Sequence, residues 1–257
     1  MIDRRAFLAA AGLSSGTWNA RLRAAQRPSG KLASVRTKAI AFDAFAIVDA
    51  TPVATRAEAL FEGKGMALMN AWRTRQFEYT WLRTLGGSYV DFWHVTQEAL
   101  SFAAHSLNLP MDEGALDSLM QTYRELKAWD DARPALEALR DAGIRMAFLS
   151  NFTAAMLDAP IANSGLQDFF EAHLTTDRVH AFKPDRRAYE MGTHAFRARP
   201  EEMVFCAAAG WDAAGAKWFG YRTFWLNRGG QPEEALGVRA DAVGARMADL
   251  LKFVLAS

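Results

Sequence analysis

Four short apolar runs punctuate the chain: Lys38 to Asp43, Arg145 to Ser150, Met203 to Ala208 and Thr223 to Asn227. Each is a continuous stretch without polar alternation, the pattern of a strand buried on both faces of a parallel sheet. The first ends in an acid, Asp43, and the second in Ser150 and Asn151. Between the runs, helical patterns cover Ala132 to Ala142, Ala154 to Ser164, Arg186 to Phe196 and Asp212 to Phe219. Gly143, Gly165 and Gly220 close three of them, where a helix end favours a left-handed residue. Pro160 is placed to kink the second. Strand alternating with helix predicts an α/β fold, a parallel sheet wound in the Rossmann manner. Ligands in such sheets bind beyond the carboxyl ends of the strands. Asp43, Ser150, Asn151 and the Ala207–Asp212 loop are expected to gather there.

The stretch from Asp49 to Lys127 breaks this alternation. It is rich in helix formers and aromatics, and Met69, Trp72, Gln76, Tyr79 and Arg83 recur at helical spacing. The reading is a helical cap, residues 49–127, inserted into a core made of residues 35–48 and 128–257. A cap lets such a core close over a dry site; a helical subdomain that only packs on the core has the same pattern.

Composition narrows the classes without choosing one. Of 257 residues, 51% are apolar and 23% charged, and the net charge is +1, as in an ordinary globular protein with no basic tail for nucleic acid. The single cysteine, Cys206, excludes an internal disulfide. His94, His105, His173, His180 and His194 are scattered, with no pair at metal-ligand spacing, so no metal site is expected. The N-terminus reads as an address. Arg4 and Arg5 precede Ala6, Phe7 and Leu8, and no charge follows until Arg21. That uncharged stretch is shorter than the ~20 residues a spanning helix needs, so stable membrane insertion is not expected. Residues 1–34 are expected to form a twin-arginine export signal and linker, which implies a periplasmic protein; a disordered or amphipathic N-terminal segment has the same pattern and implies a cytoplasmic one.

The candidate chemistry lies in four short motifs. Phe42-Asp43-Ala44-Phe45, Leu149-Ser150-Asn151, Phe182-Lys183-Pro184-Asp185 and Gly210-Trp211-Asp212 occur in that order. Order and spacing resemble the core motifs of the haloacid dehalogenase superfamily. The segment Ala71 to Arg83, the run Trp211 to Gly220 and Trp225 to Arg228 resemble its (S)-2-haloacid dehalogenase subgroup. The resemblance covers Lys38 to the C-terminus and implies a Rossmann-type core with a helical cap. It implies Asp43 as a nucleophile that forms an ester, Lys183 as the cation that holds it, and Asp212 as the group that positions or activates the hydrolytic water. Ser150 and Asn151 supply donors to the substrate, and Arg73 binds its carboxylate or the departing halide. Phe45, Phe77, Phe92 and Trp211 match positions that line the apolar pocket, and Tyr189 matches a tyrosine near the lysine, grouped here with the substrate contacts. Taken singly, each has a plainer meaning: Asp43 a helix cap, Lys183-Pro184 a turn before a helix, the aromatics core.

Phosphatases of the superfamily carry a second aspartate two residues after the nucleophile, to protonate a poor leaving group. That position is Phe45, and a halide leaves without a proton. Asp212 is the one acid in Ala207–Asp212, whereas phosphoryl transfer needs Mg²⁺ held by acids there. The expectation is cofactor-free hydrolysis of a small anionic 2-halo acid. A Mg²⁺-dependent phosphatase and a weakened small-acid-binding protein of the same fold are the alternatives. The last is raised by departures from the pattern. Ala207, Ala208 and Ala209 replace a polar Ser-Ser-Asn, and Ala46-Ile47 replaces Gly-Thr, so a serine, an asparagine and a threonine are missing. Relatives by resemblance are often homodimers; Trp81, Tyr89 and Trp93 of the cap suit such an interface or the core equally.

Overall fold

The structure, a computed structural model, describes residues 36–256. The expected export segment lies outside the described residues. Among the described residues the strands are β1 (Ala39–Phe42), β2 (Val48–Asp49), β3 (Lys127–Ala128), β4 (Arg145–Ser150), β5 (His173–Thr175), β6 (Met203–Ala207), β7 (Arg222–Leu226) and β8 (Ala242–Gly244). The α-helices are α1 (Ala44–Ile47), α2 (Thr51–Leu60), α3 (Gly65–Leu85), α4 (Phe92–Ser106), α5 (Glu113–Glu125), α6 (Ala132–Asp141), α7 (Ala154–Ser164), α8 (Arg186–Phe196), α9 (Gly210–Phe219) and α10 (Met247–Leu255).

Six strands form one parallel sheet in the order β5-β4-β1-β6-β7-β8. The four apolar runs of the sequence are its four inner strands; β5 and β8 extend the two edges. Gly143, Gly165 and Gly220 take φ of 75°, 64° and 117° at the helix ends. Alternation along β1 splits the core between the two faces. Ile40 and Phe42 join Phe148, Val204 and Cys206 on one side. Ala39 and Ala41 join Leu149, Phe205 and Tyr189 on the other, where small residues let the packed helices come close. Asp43 follows Phe42, so its side chain falls on the alanine side, under α8 and α9.

The chain leaves the core along β2 and returns along β3. These pair antiparallel, Val48 with Ala128 and Asp49 with Lys127. Helices α2 to α5 form the insert between them. On α3, Leu68, Trp72, Gln76 and Thr80 form the buried stripe. It is pinned to α4 by bonds from Trp72 Nε1 to Thr96 O at 2.8 Å and from Gln76 Nε2 to Thr96 Oγ1 at 2.7 Å. Arg73, Phe77 and Trp81 ride the adjacent i, i+4 line of the same helix, which points this second stripe away from α4. Thr84 and Tyr89 tie the insert to the core loop before α8: Phe182 N–H donates to Thr84 Oγ1 at 3.0 Å, and Tyr89 OH to Asp177 Oδ1 at 2.6 Å. No helix among the described residues is long and apolar enough to cross a membrane.

Candidate active site

Asp43 stands where the central strand β1 ends and α1 begins, and it has two tasks. Its Oδ2 accepts from Phe45 N–H at 3.2 Å, the helix-cap bond of an ordinary strand–helix junction. Its Oδ1 accepts from Lys183 Nζ at 2.8 Å. Backbone bonding fixes the residue further, since Asp43 N–H donates to Cys206 O at 3.0 Å. The carboxylate is therefore oriented through both oxygens, and it is more open than Lys183 or Asp212. Its side chain is 12% exposed, against 1% for Lys183 and 2% for Asp212.

Lys183 reaches the site from the loop before α8, through a cis Lys183–Pro184 peptide. Its backbone N–H donates to Asn151 Oδ1 at 3.0 Å, which fixes the loop to the end of β4. Its ammonium bridges two carboxylates, Asp43 at 2.8 Å and Asp212 Oδ2 at 2.6 Å, and lies 5.1 Å from the Phe205 ring centroid. Burial alone would lower the lysine pKa; Asp212 and Asp43 together outweigh it and hold the group charged. Behind Lys183, Tyr189 OH donates to Asp212 Oδ1 at 2.7 Å. The tyrosine fits there because residue 215 is glycine. A Cβ at that position would stand 2.5 Å from Tyr189 OH and 2.8 Å from Pro184 Cβ. Tyr221 OH in turn donates to Tyr189 O.

These contacts tie Asp212, expected from the sequence to position or activate the hydrolytic water, to Lys183 and Tyr189. Both its oxygens are taken, by Lys183 and by Tyr189, and it sits behind the ammonium. Burial pushes its carboxyl up to about 6, against the pull of Lys183. Tyr189, grouped with the substrate contacts from the sequence, is fully buried beneath Asp212 and supports that acid; burial, then Asp212, raise its own pKa well above the usual value. A pH profile follows from this arrangement. Below about 6 Asp212 takes a proton, and Lys183 is left facing Asp43 alone, which damps the nucleophile's charge. Activity is expected to fall on the acid side with a midpoint near 6, and Asp212→Asn to remove that limb from its residual rate. Stability moves the other way. The folded protein holds a proton on Asp212 that an unfolded carboxyl of pKa ~3.9 does not, so this group's contribution rises as pH falls through about 6. Rate and thermal unfolding measured from pH 4 to 8 check both signs.

The insert supplies the other wall. The Arg73 guanidinium lies 4.5 Å from the Phe45 ring centroid and 5.4 Å from that of Phe77, and it forms no salt bridge among the described residues. Its neighbours Arg75 and Arg83 are paired with Glu78 and Glu98. Phe77 and Trp81 both pack on Trp211, at 5.0 and 5.6 Å between centroids. A cavity of about 510 Å³ opens between Arg73, Phe77, Trp211, Ala208, Ala209 and the Gln231–Glu234 segment. Ser150 and Asn151 are buried at the end of β4. Ser150 Oγ accepts from Phe152 N–H at 3.1 Å, and the Asn151 side-chain nitrogen donates to no protein acceptor among the described residues. Phe92 is packed on Phe152 and Phe182 and is 1% exposed, which makes it support for the pocket wall. Trp81, Tyr89 and Trp93 are half-buried against partners within the chain: Trp211, Phe182 and Arg124.

An oriented, partly open carboxylate on a strand end, a buried lysine paired with it and an unpaired arginine on the ring of nearby Phe45 suit nucleophilic displacement on a small anion. Haloacid dehalogenase-like hydrolases match residues 16–220. The chain belongs to this family. The haloacetate dehalogenase H-2 of Moraxella sp. (strain B) is 38% identical over 207 residues, 80% of this chain and 92% of its own. The crystal structure of the L-2-haloacid dehalogenase RSc1362 matches with a TM-score of 0.84 at 41% identity, over 86% of this chain and 99% of its own. The L-2-haloacid dehalogenase of Xanthobacter autotrophicus, solved with chloropropionic acid covalently bound, matches with 0.78 at 33% identity, over 85% and 98%.

Within this haloacid dehalogenase-like site the three alanines have distinct places. Ala207 is fully buried on β6, while Ala208 and Ala209 line the cavity, and Ala209 opens α9 without a side-chain cap. Ala46 and Ile47 are core, with Ile47 O accepting from Trp129 N–H at 2.9 Å. Thr84 and Tyr89, which grip the loop carrying Lys183, carry no local signal in the sequence; their partners are remote in the chain and only the fold brings them together.

Proposed function

We propose that this protein is a hydrolytic dehalogenase of short (S)-2-halo acids. The reading is carried by the ion pair of Asp43 with Lys183, beside a phenylalanine at position 45 that lies under an unpaired Arg73. An aromatic ring at that position donates no proton, so the site suits a leaving group that needs none. A carboxylate oxygen of Asp43 attacks C2 of the substrate from the side opposite the halogen. The carbon–halogen bond breaks, halide departs with the bonding pair, and the centre inverts. Water then cleaves the aspartyl ester, releasing the 2-hydroxy acid and restoring Asp43. Arg73, Ser150 and Asn151 orient the substrate anion. Lys183, held by Asp212, keeps Asp43 aimed. The relative with chloropropionic acid covalently bound supports an ester route. The reaction written in this way calls on no metal.

Halide release from (S)-2-chloropropionate and (S)-2-bromopropionate is the test. Release equal with and without EDTA, matched by 2-hydroxy acid, is the expected result. Mg²⁺-dependent phosphate release from an aryl phosphate without halide release would sink the reading in favour of a phosphatase. Thermal stabilisation by 2-halo acids with no turnover would make the protein a small-acid binder.

A further inference from the structure

Two successive backbone N–H groups of the loop that carries Lys183 are held by side chains from different parts of the fold. Lys183 N–H donates to Asn151 Oδ1 of the core at 3.0 Å, and Phe182 N–H donates to Thr84 Oγ1 of the insert at 3.0 Å. Thr84 is set for this by its own helix. Its hydroxyl proton goes to Thr80 O at 2.8 Å, which leaves the oxygen free to accept. The Phe182 ring is held separately, against Tyr89 at 4.7 Å and Phe92 at 6.1 Å between centroids. Packing alone does not immobilise the peptide. A cavity of about 330 Å³ borders it, with Trp81, Thr84, Leu85, Phe182 and Pro184 among its walls. The loop has room to shift on that side, and the Thr84 bond restrains it there.

The helix that carries Thr84 also reaches the other donor to Asp43. Arg73 and Thr84 are eleven residues apart on α3, about three turns and ~16 Å, and so lie on nearly the same face. Arg73 rests on the Phe45 ring, and Phe45 N–H holds Asp43 Oδ2. Thr84 holds the residue before Lys183, and Lys183 Nζ holds Asp43 Oδ1. One element of the insert therefore braces both groups that orient the carboxylate. Little slack separates the Phe182 peptide from the ammonium. Lys183 is 1% exposed, and its Nζ is bonded to Asp43 and Asp212 at 2.8 and 2.6 Å.

We propose that Thr84 is a positioning residue for the displacement step: by fixing the peptide before Lys183, it sets the aim of the ammonium on Asp43. The inference rests on the dehalogenase reading above. Thr84 acts on the reacting carboxylate only through Lys183. Without its bond the loop moves into the cavity and draws the ammonium away from both carboxylates. Asp43 then loses its orientation at Oδ1, while Arg73, Ser150 and Asn151 still orient the substrate anion. Asp212, which faces Lys183, Asp43 and Tyr189, feels a weaker pull from the ammonium, so its carboxyl titrates above about 6.

Thr84→Val tests this, since it removes the acceptor and keeps a branched side chain. The readouts are rapid-quench halide release from (S)-2-chloropropionate, steady-state kcat and KM, the acid limb of the rate and the melting temperature. The first turnover is expected to slow about tenfold to a hundredfold, the size of effect that a small misplacement near a reacting group produces. KM should stay unchanged, and the acid midpoint should move above about 6. Thr84→Ser, which keeps the hydroxyl, should restore both the rate and the midpoint. Thr84→Ala, which also lacks the acceptor, carries the test if the valine variant does not fold. Folded Thr84→Val with the wild-type first turnover and a midpoint near 6 would overturn the inference. A lower melting temperature at unchanged rate would do the same, because the bond would then be structural only. So would a raised KM at unchanged kcat, which would place the effect on binding. Wild-type protein that releases no halide would overturn the dehalogenase reading itself, and this inference with it, before any variant is compared.

Discussion

Asp43→Asn is expected to lower halide release by about 10⁴–10⁶-fold while leaving the protein folded. The side chains have the same shape, and the amide oxygen can still accept from Phe45 N–H and cap α1. A neutral amide oxygen, however, is a poor nucleophile at carbon and cannot form the ester. The electrostatic change is tolerable because Lys183 keeps Asp212 as counter-ion at 2.6 Å, so the buried group passes from two carboxylates around one ammonium to a single balanced pair. The amide N–H₂ then faces Lys183 Nζ across a contact that was a 2.8 Å ion pair, donor against donor, and the ring of contacts loosens there. A modest loss of melting temperature is therefore expected beside a nearly complete loss of rate. Halide release above about a tenth of wild type would mean that another group attacks the substrate, and that Asp43 is what the plainest sequence reading makes it, a helix cap.

The contrast between cap and nucleophile shows what the sequence carries and where it stops. The inner strands were legible because they are buried on both faces and so have unbroken apolar runs. Edge strands β5 and β8 were not. His173–Thr175 is short and mixed in character, and Ala242–Gly244 is half open to solvent, so neither needs an apolar run. The two-residue strands β2 and β3 have no periodicity to show, yet they form the root of the insert. In the site, residue types and their order carried Asp43, Lys183 and Asp212 into one neighbourhood. Depth was the missing quantity. Asp212 reads as an acid on a loop near the substrate, and its position behind Lys183 follows from α9 starting at Gly210 and from Gly215 admitting the Tyr189 hydroxyl. Phe92 and Tyr189 read as pocket lining for the same reason, since an aromatic near a site has the same sequence signature whether it touches ligand or supports a residue that does.

Lys183→Met tests that depth directly and is expected to have the second largest effect, on stability and activity together. The lysine is 1% exposed, and both carboxylates reach the same nitrogen. Removing the ammonium leaves two acids close together with no counter-charge, a change of the kind that costs ~3–5 kcal/mol. For a chain of this size the melting temperature should fall by about 10 °C at pH 7.5. The loss has a pH signature. Asp212 already titrates near 6 by burial against the pull of Lys183, and without that pull it protonates at higher pH still. Native protein then binds a proton that the unfolded chain does not, so the variant should regain stability as the pH is lowered toward 5, and its gap from wild type should narrow. The double variant Lys183→Met, Asp212→Asn removes the buried charge along with its partner and should recover much of the melting temperature at neutral pH. It should recover none of the rate, because Asp43 would still lack the cation that aims it. A stable, inactive double variant separates the two tasks of Lys183: balancing Asp212 is structural, and holding Asp43 is chemical. A Lys183→Met protein that kept wild-type turnover would show that the backbone bonds and the Phe45 N–H alone orient the nucleophile, and the ion pair would lose its place in the mechanism.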